Sequence, residues 1–107
     1  MEQIEPYSLT RKDIVGSVGK GWKNIVSELF DEVKLADPEC RVVQVKEKFG
    51  GLRFYVENVT NTKVYDLISE AEGYASETCE ICSKPAHIQS LNGWLKCICN
   101  ECKAKHQ

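Results

Sequence analysis

The chain has 107 residues, with 14 Lys and Arg against 16 Asp and Glu, a net charge of −2, 42% hydrophobic and 28% charged residues. This is the make-up of one ordinary globular domain, which excludes the strongly basic footprint of a dedicated nucleic-acid binder. No run approaches the ~18 consecutive apolar residues of a membrane span.

The opening Met1-Glu-Gln-Ile-Glu-Pro6 has no basic stretch followed by an apolar one. The expectation is therefore no secretory leader and a reducing, cytoplasmic home. Thr10-x-x-Asp13 offers a helix start, and Gly16, Gly19 and Gly21 keep that first segment short. Gly16-Ser-Val-Gly-Lys-Gly21 glances at a phosphate loop but lacks the Ser or Thr after the lysine. It reads instead as a hinge or cap before the next helix. In that helix Trp22, Ile25, Val26, Leu29, Phe30 and Val33 recur at helical spacing, predicting about four turns that end near Asp37-Pro38.

From Arg41 to Glu57 the period shortens. Val43, Val45 and Phe49 alternate with Gln44, Lys46 and Lys48, and Leu52, Phe54 and Val56 alternate with Arg53 and Tyr55. With Gly50-Gly51 as the turn, this predicts a β-hairpin with Val43, Val45, Phe54 and Val56 packed beneath helices. The turn-rich stretch 58–62 precedes Val64, Leu67, Ile68, Ala71, Tyr74 and Ala75, a second amphipathic helix. His87–Ser90 and Trp94–Ile98 flank Asn92-Gly93, the dipeptide that most strongly marks a tight hairpin, and residues 102–107 can continue as a short helix.

Five of the six cysteines fall in the last 29 residues, as Cys79-x2-Cys82 and, sixteen residues on, Cys99-x2-Cys102 with Cys97 just before. Two C-x2-C pairs at this separation match a tetrahedral zinc site with one structural Zn²⁺ per chain. Each pair holds two thiolates on one side of the metal, and the segment between supplies a hairpin. Four thiolates leave no position for water, so such a metal builds a fold and performs no hydrolysis. Cys97 shares a strand face with Cys99 and is a competing ligand. The set Cys79, Cys82, Cys99 and Cys102 keeps C-x2-C at both ends and is preferred, leaving Cys97 as a small buried hydrophobe. His87 and His106 are assigned to the surface or to support of the site, and Cys40 to a structural thiol. The expected architecture is α+β: an α/β core over residues 1–78, and a zinc module over 79–107 docked on it through Trp94, Leu95 and Ile98. A knuckle, a hairpin and a pair entering a helix is treble-clef order; a zinc ribbon is the alternative.

The segment Val45-Lys-Glu-Lys-Phe-Gly-Gly-Leu-Arg-Phe-Tyr-Val56, with Gly21-Trp22 upstream and the C-x-x-C…Gly-Trp-Leu…C-x-x-C pattern downstream, resembles a family of small proteins encoded by bacteriophages and prophages. The resemblance covers most of residues 20–102; Cys97 stands where that family more often has another residue. It implies a phage accessory protein working in the bacterial cytoplasm, of the host-takeover or anti-defence kind, anti-CRISPR inhibitors included.

Three functional classes follow. The favoured one is non-enzymatic binding to, and inhibition of, a host protein complex, through the hairpin residues Lys46, Lys48, Phe49, Arg53 and Tyr55, which combine positive charge with hot-spot side-chain types. The second is a nucleic-acid-binding zinc protein or regulator, suggested by the same interleaved bases and aromatics. The third is a zinc-stapled, nuclease-like enzyme, which would need a catalytic histidine with further metal ligands; neither His87 nor His106 lies in such a cluster, and no catalytic residue is assigned.

Overall fold

A computed structural model describes residues 8–106. The opening Met1–Pro6, read above for a leader, lies outside the described residues, as does Gln107 at the end of the expected terminal helix. Among the described residues the fold is α+β, with four α-helices and two antiparallel two-stranded sheets in the order α1 (Arg11–Val15), α2 (Lys23–Ala36), β1 (Arg41–Lys48), β2 (Gly51–Glu57), α3 (Lys63–Ala75), β3 (His87–Leu91), β4 (Trp94–Ile98) and α4 (Asn100–His106).

Helix α1 starts at a capping box: Asp13 donates its backbone N–H to the Thr10 hydroxyl, and its carboxylate accepts from the Thr10 backbone. One 3-10 turn, Lys20–Trp22, leads into α2, whose apolar stripe buries Val26, Leu29 and Val33. Trp22 is fully buried beside them. Helix α3 buries Val64, Ile68, Ala71 and Ala75 against α2. The inner face of β1–β2 adds Val42, Val45, Leu52 and Phe54 to the same core. Full burial of each such side chain stabilises by about 1.5–3 kcal/mol.

The α2–β1 corner is held by Asp37, which is buried at the end of α2. Its carboxylate accepts from the Thr60 hydroxyl (2.7 Å) and from the backbone N–H groups of Thr60 (2.6 Å) and Asn61 (3.0 Å). The Thr60 hydroxyl is the largest influence holding this carboxyl below its ordinary value of 3.8; burial opposes it and the backbone donors add to it. A depressed carboxyl stabilises the fold above its unfolded value, and the contribution is lost as pH falls through the folded one. The clamp is therefore intact at neutral pH and opens only in acid.

Two expectations about the first hairpin need correction. Lys48 pairs with Gly51, so the turn is Phe49-Gly50 rather than Gly50-Gly51. Both turn residues have left-handed backbones, φ 53° and 82°, the type I′ pattern that matches strand twist. Phe49 is consequently 64% exposed and is not part of the buried alternation. A register shift between Val42 and Gln44 also turns Val42 into the core and leaves Val43 half-buried. A bulge places two residues opposite one and so shifts which side chain faces inward.

Candidate metal centre

Helix α3 ends at Ala75, and the chain enters a tight knuckle at Cys79. The Cys79 N–H donates to the Lys84 carbonyl (2.8 Å), and the Cys79 carbonyl accepts from the Ser83 N–H (3.0 Å). Ser83 takes a left-handed backbone, φ 71°, to close the loop. Strands β3 and β4 follow, paired from His87↔Ile98 to Leu91↔Trp94 around Asn92-Gly93. Cys99 then stands just before α4, and Cys102 lies in its first turn. The second pair thus enters a helix rather than a second knuckle, which is treble-clef order and not that of a ribbon.

The sulfurs of Cys79, Cys82, Cys99 and Cys102 all lie within 4.8 Å of one another. Cys82 and Cys99 are 3.6 Å apart, close to the ~3.8 Å between thiolates held tetrahedrally at the ~2.3 Å Zn–S distance and far beyond the ~2.05 Å of a disulfide. All six cysteines are free thiols. The donors fit a closed four-sulfur metal site. Ile98 is fully buried within the cluster, with Ala86 and Leu91 beside it.

Cys79 and Cys102 are shifted in opposite directions. Burial opposes ionisation of Cys79, but backbone N–H groups of Cys82, Cys99 and Ile81 outweigh it and bring the thiol down to about 7. Cys102 is pushed up to about 12, first by burial and then by the neighbouring sulfurs of Cys99, Cys82 and Cys79. One thiolate forms readily here, whereas four within this space need a cation between them.

Cys97 is brought to a different place. It is fully buried in the main core, where its Sγ is 3.2–3.3 Å from the carbonyl oxygens of Ala75, Ser76 and Thr78. Burial raises its thiol, the direction of an inert cysteine. Cys40 is likewise buried and raised by burial. His87 and His106 are exposed and outside the sulfur cluster.

The docking of this module is corrected in its residues. Trp94 is 71% and Leu95 48% exposed, while Ile98 packs among the cysteines rather than on the main core. Contact with the core is made by Cys97, by the tie of Lys96 to Glu47, and by the Gly19–Trp22 segment, where the sequence predicts only a hinge or cap over residues 16–21. Gly21 donates its N–H to the Glu80 carbonyl (2.8 Å), Trp22 donates Nε1–H to the Thr78 carbonyl (2.8 Å), and Ser83 donates Oγ–H to the Gly21 carbonyl (2.8 Å). A Cβ on Gly21 would collide with the Cys79 carbonyl and one on Gly19 with that of Glu80. Glycine is required here because knuckle backbone lies directly against this segment.

Of the proposed partner residues, Lys46, Lys48, Arg53 and Tyr55 share one ribbon face, with Gln44 opposite Tyr55 and Lys46 opposite Arg53, and Phe49 lies in the turn. Only Lys48, Phe49 and Tyr55 are exposed; Lys46 and Arg53 are half-buried rather than solvated. The Lys48 ammonium stands 5.7 Å from the Phe49 ring centroid. The tip of this hairpin touches the other one: a Cβ on Gly50 would come within 3.1 Å of Ile88. Glu47 accepts from the Gly50 N–H (2.7 Å) and from Lys96 Nζ (3.1 Å), and Lys96 also reaches Glu80 at 3.7 Å. The tip and the sulfur cluster are therefore joined by one chain of polar contacts.

Compared with protein-family models, with curated proteins and with solved structures, the chain matches none. Among the described residues, no helix is long and apolar enough to cross a membrane.

Proposed function

We propose that this protein is a zinc-stapled, phage-type binding protein of the host cytoplasm. It acts without catalysis, by occupying a surface of a host protein complex in the manner of a host-takeover or anti-defence inhibitor, anti-CRISPR proteins among them. The observation that carries the reading is the closed set of four sulfurs. A tetrahedral ion held by Cys79, Cys82, Cys99 and Cys102 has no open position at which to activate water, so its contribution is structural. Zinc is the metal that best suits four thiolates at this spacing.

The binding surface is the outer face and tip of β1–β2. Exposed Tyr55, Phe49 and Lys48 supply an aromatic and cationic anchor of the sort found at binding hot spots. With Lys46 and Arg53 half-buried, few solvated bases remain to release counterions from nucleic acid, which favours a protein partner over a polynucleotide.

The test is affinity capture with the tagged, metal-loaded protein from bacterial lysate, with and without nuclease, beside elemental analysis for one zinc per chain. Recovery of a defined, nuclease-insensitive protein complex, lost with the folded variant Lys48→Glu/Tyr55→Ala, is the expected result. Capture of bulk nucleic acid that nuclease removes would replace this reading by the nucleic-acid one.

A further inference from the structure

Helices α2 and α3 do not close completely. They leave a groove of about 380 Å³, at the low end of the ~300–1,000 Å³ of ligand pockets. Its floor is apolar and arranged in turns: Ile25 and Leu29 are four residues apart on α2, as are Leu67 and Ala71 on α3. Its rims are acidic. Glu28 and Glu32 stand one turn apart on α2, and Glu70 on α3 is followed one turn later by Tyr74, 62% exposed. No lysine or arginine lines it.

Among the described residues, none of these three carboxylates is ion-paired, a condition they share with Glu39, Asp66, Glu72 and Glu77 outside the groove. Like charges four residues apart weaken a helix, so Glu28 and Glu32 repel each other along α2. One end of the groove is walled by Gly21, Thr78 and Ser83, the contact between the core and the first cysteine knuckle.

We propose that this groove docks a basic amphipathic helix of a protein partner. Apolar side chains one turn apart on such a helix fill the floor between α2 and α3, the helix-in-groove mode of recognition. Lysines or arginines flanking that stripe, again one turn apart, meet Glu28 and Glu32 on one side and Glu70 on the other. Charge complementarity chooses this occupant: an acidic helix with the same apolar stripe would bring its carboxylates against three unpaired ones. The site is separate from the β1–β2 surface and stands whether or not that hairpin binds anything.

The experiment uses the full, metal-loaded chain and a labelled synthetic helix of about 14 residues, enough to span the ~21 Å of α2. The helix carries leucines on one stripe and arginines flanking it. A matched peptide has glutamates in place of the arginines. Fluorescence polarisation should show binding of the basic peptide only, weakening as salt is raised. The Glu28→Lys/Glu32→Lys/Glu70→Lys variant should bind about tenfold or more weakly, with helical content and metal content unchanged. Equal binding of the two peptides would overturn the proposal. So would unchanged binding by the folded variant, or spermidine binding in the groove with no binding of the basic peptide.

Discussion

The two hairpins share a turn and differ in what holds them. β1–β2 closes on Phe49-Gly50 with φ 53° and 82°, and β3–β4 on Asn92-Gly93 with φ 53° and 88°. Isolated two-stranded hairpins are marginal in water, so each needs outside support. β1–β2 obtains it from apolar burial, through Val42, Val45, Leu52 and Phe54. β3–β4 buries only Cys97 and Ile98 and hangs between the two cysteine pairs. Here a cluster of four cysteines positioned to hold a metal ion takes the place that a hydrophobic face takes in the other hairpin.

The strongest way to break that contrast is to remove a metal ligand. Binding at such sites is worth on the order of 10–16 kcal/mol, as large as a whole domain's stability of about 5–15 kcal/mol. Cys102→Ser should lose the metal and melt β3–β4, while backbone amides of β1–β2 keep their protection in hydrogen exchange. Loss of protection in both would make the hairpins one cooperative unit. Cys97→Ser should keep full metal content; a Cys99→Ser variant that also keeps it would assign the fourth ligand to Cys97.

Phe54→Ala is the reciprocal experiment on the apolar side. Truncating a buried phenylalanine costs about 3–5 kcal/mol, read as a lower midpoint in urea unfolding. Under native conditions the variant should still bind one metal ion per chain. A loss of metal there would show that the sulfur cluster depends on the core beneath it.

What the sequence disclosed follows the same division. The cysteine pairs were legible because a fixed spacing encodes their geometry, and α2 and α3 because apolar residues at helical period leave one way to bury them. The strand faces were partly hidden: alternation pointed at Val43, and only the register shift brings Val42 inward. Long-range approaches were not legible at all. The bond from Trp22 to Thr78 joins residues 56 apart, and the demand for Gly21 comes from the Cys79 carbonyl, so no local pattern reveals either. Trp94 and Leu95 looked like a docking face because they are apolar, yet a hairpin held between two cysteine pairs leaves them exposed.

The polar tie between the hairpins tests how far they are independent. Lys96 on β4 sits between Glu47 of the first hairpin and Oε1 of Glu80 in the knuckle, and the second Glu80 oxygen, Oε2, is buried with no hydrogen-bond partner among the described residues. Lys96→Met leaves two partly buried carboxylates facing each other without a cation, at a cost of about 1–3 kcal/mol. In a double-mutant cycle, much of that loss should disappear in the Glu47→Gln background. An unchanged loss there would mean that Lys96 acts on the knuckle alone.

The smallest effect bears most directly on function. Asn and Gly are the residues a type I′ turn prefers, and β3–β4 uses both. β1–β2 puts Phe49 at the equivalent position, although a left-handed backbone costs a side chain such as phenylalanine about 1–2 kcal/mol. The ring recovers little of this by packing, being 64% exposed, and its contact with the Lys48 ammonium contributes about 0.5–1 kcal/mol at such a site. Phe49→Asn should therefore stabilise the protein slightly, by about 1 kcal/mol or less, while Asn92→Phe should destabilise it by a similar amount. If Phe49 serves the partner rather than the turn, the same Phe49→Asn variant should capture that partner about tenfold less well, a loss of about 1.4 kcal/mol. A destabilised Phe49→Asn would instead make the ring part of the fold. A stabilised variant with undiminished capture would remove the tip from the binding surface and leave Lys48 and Tyr55 to carry it.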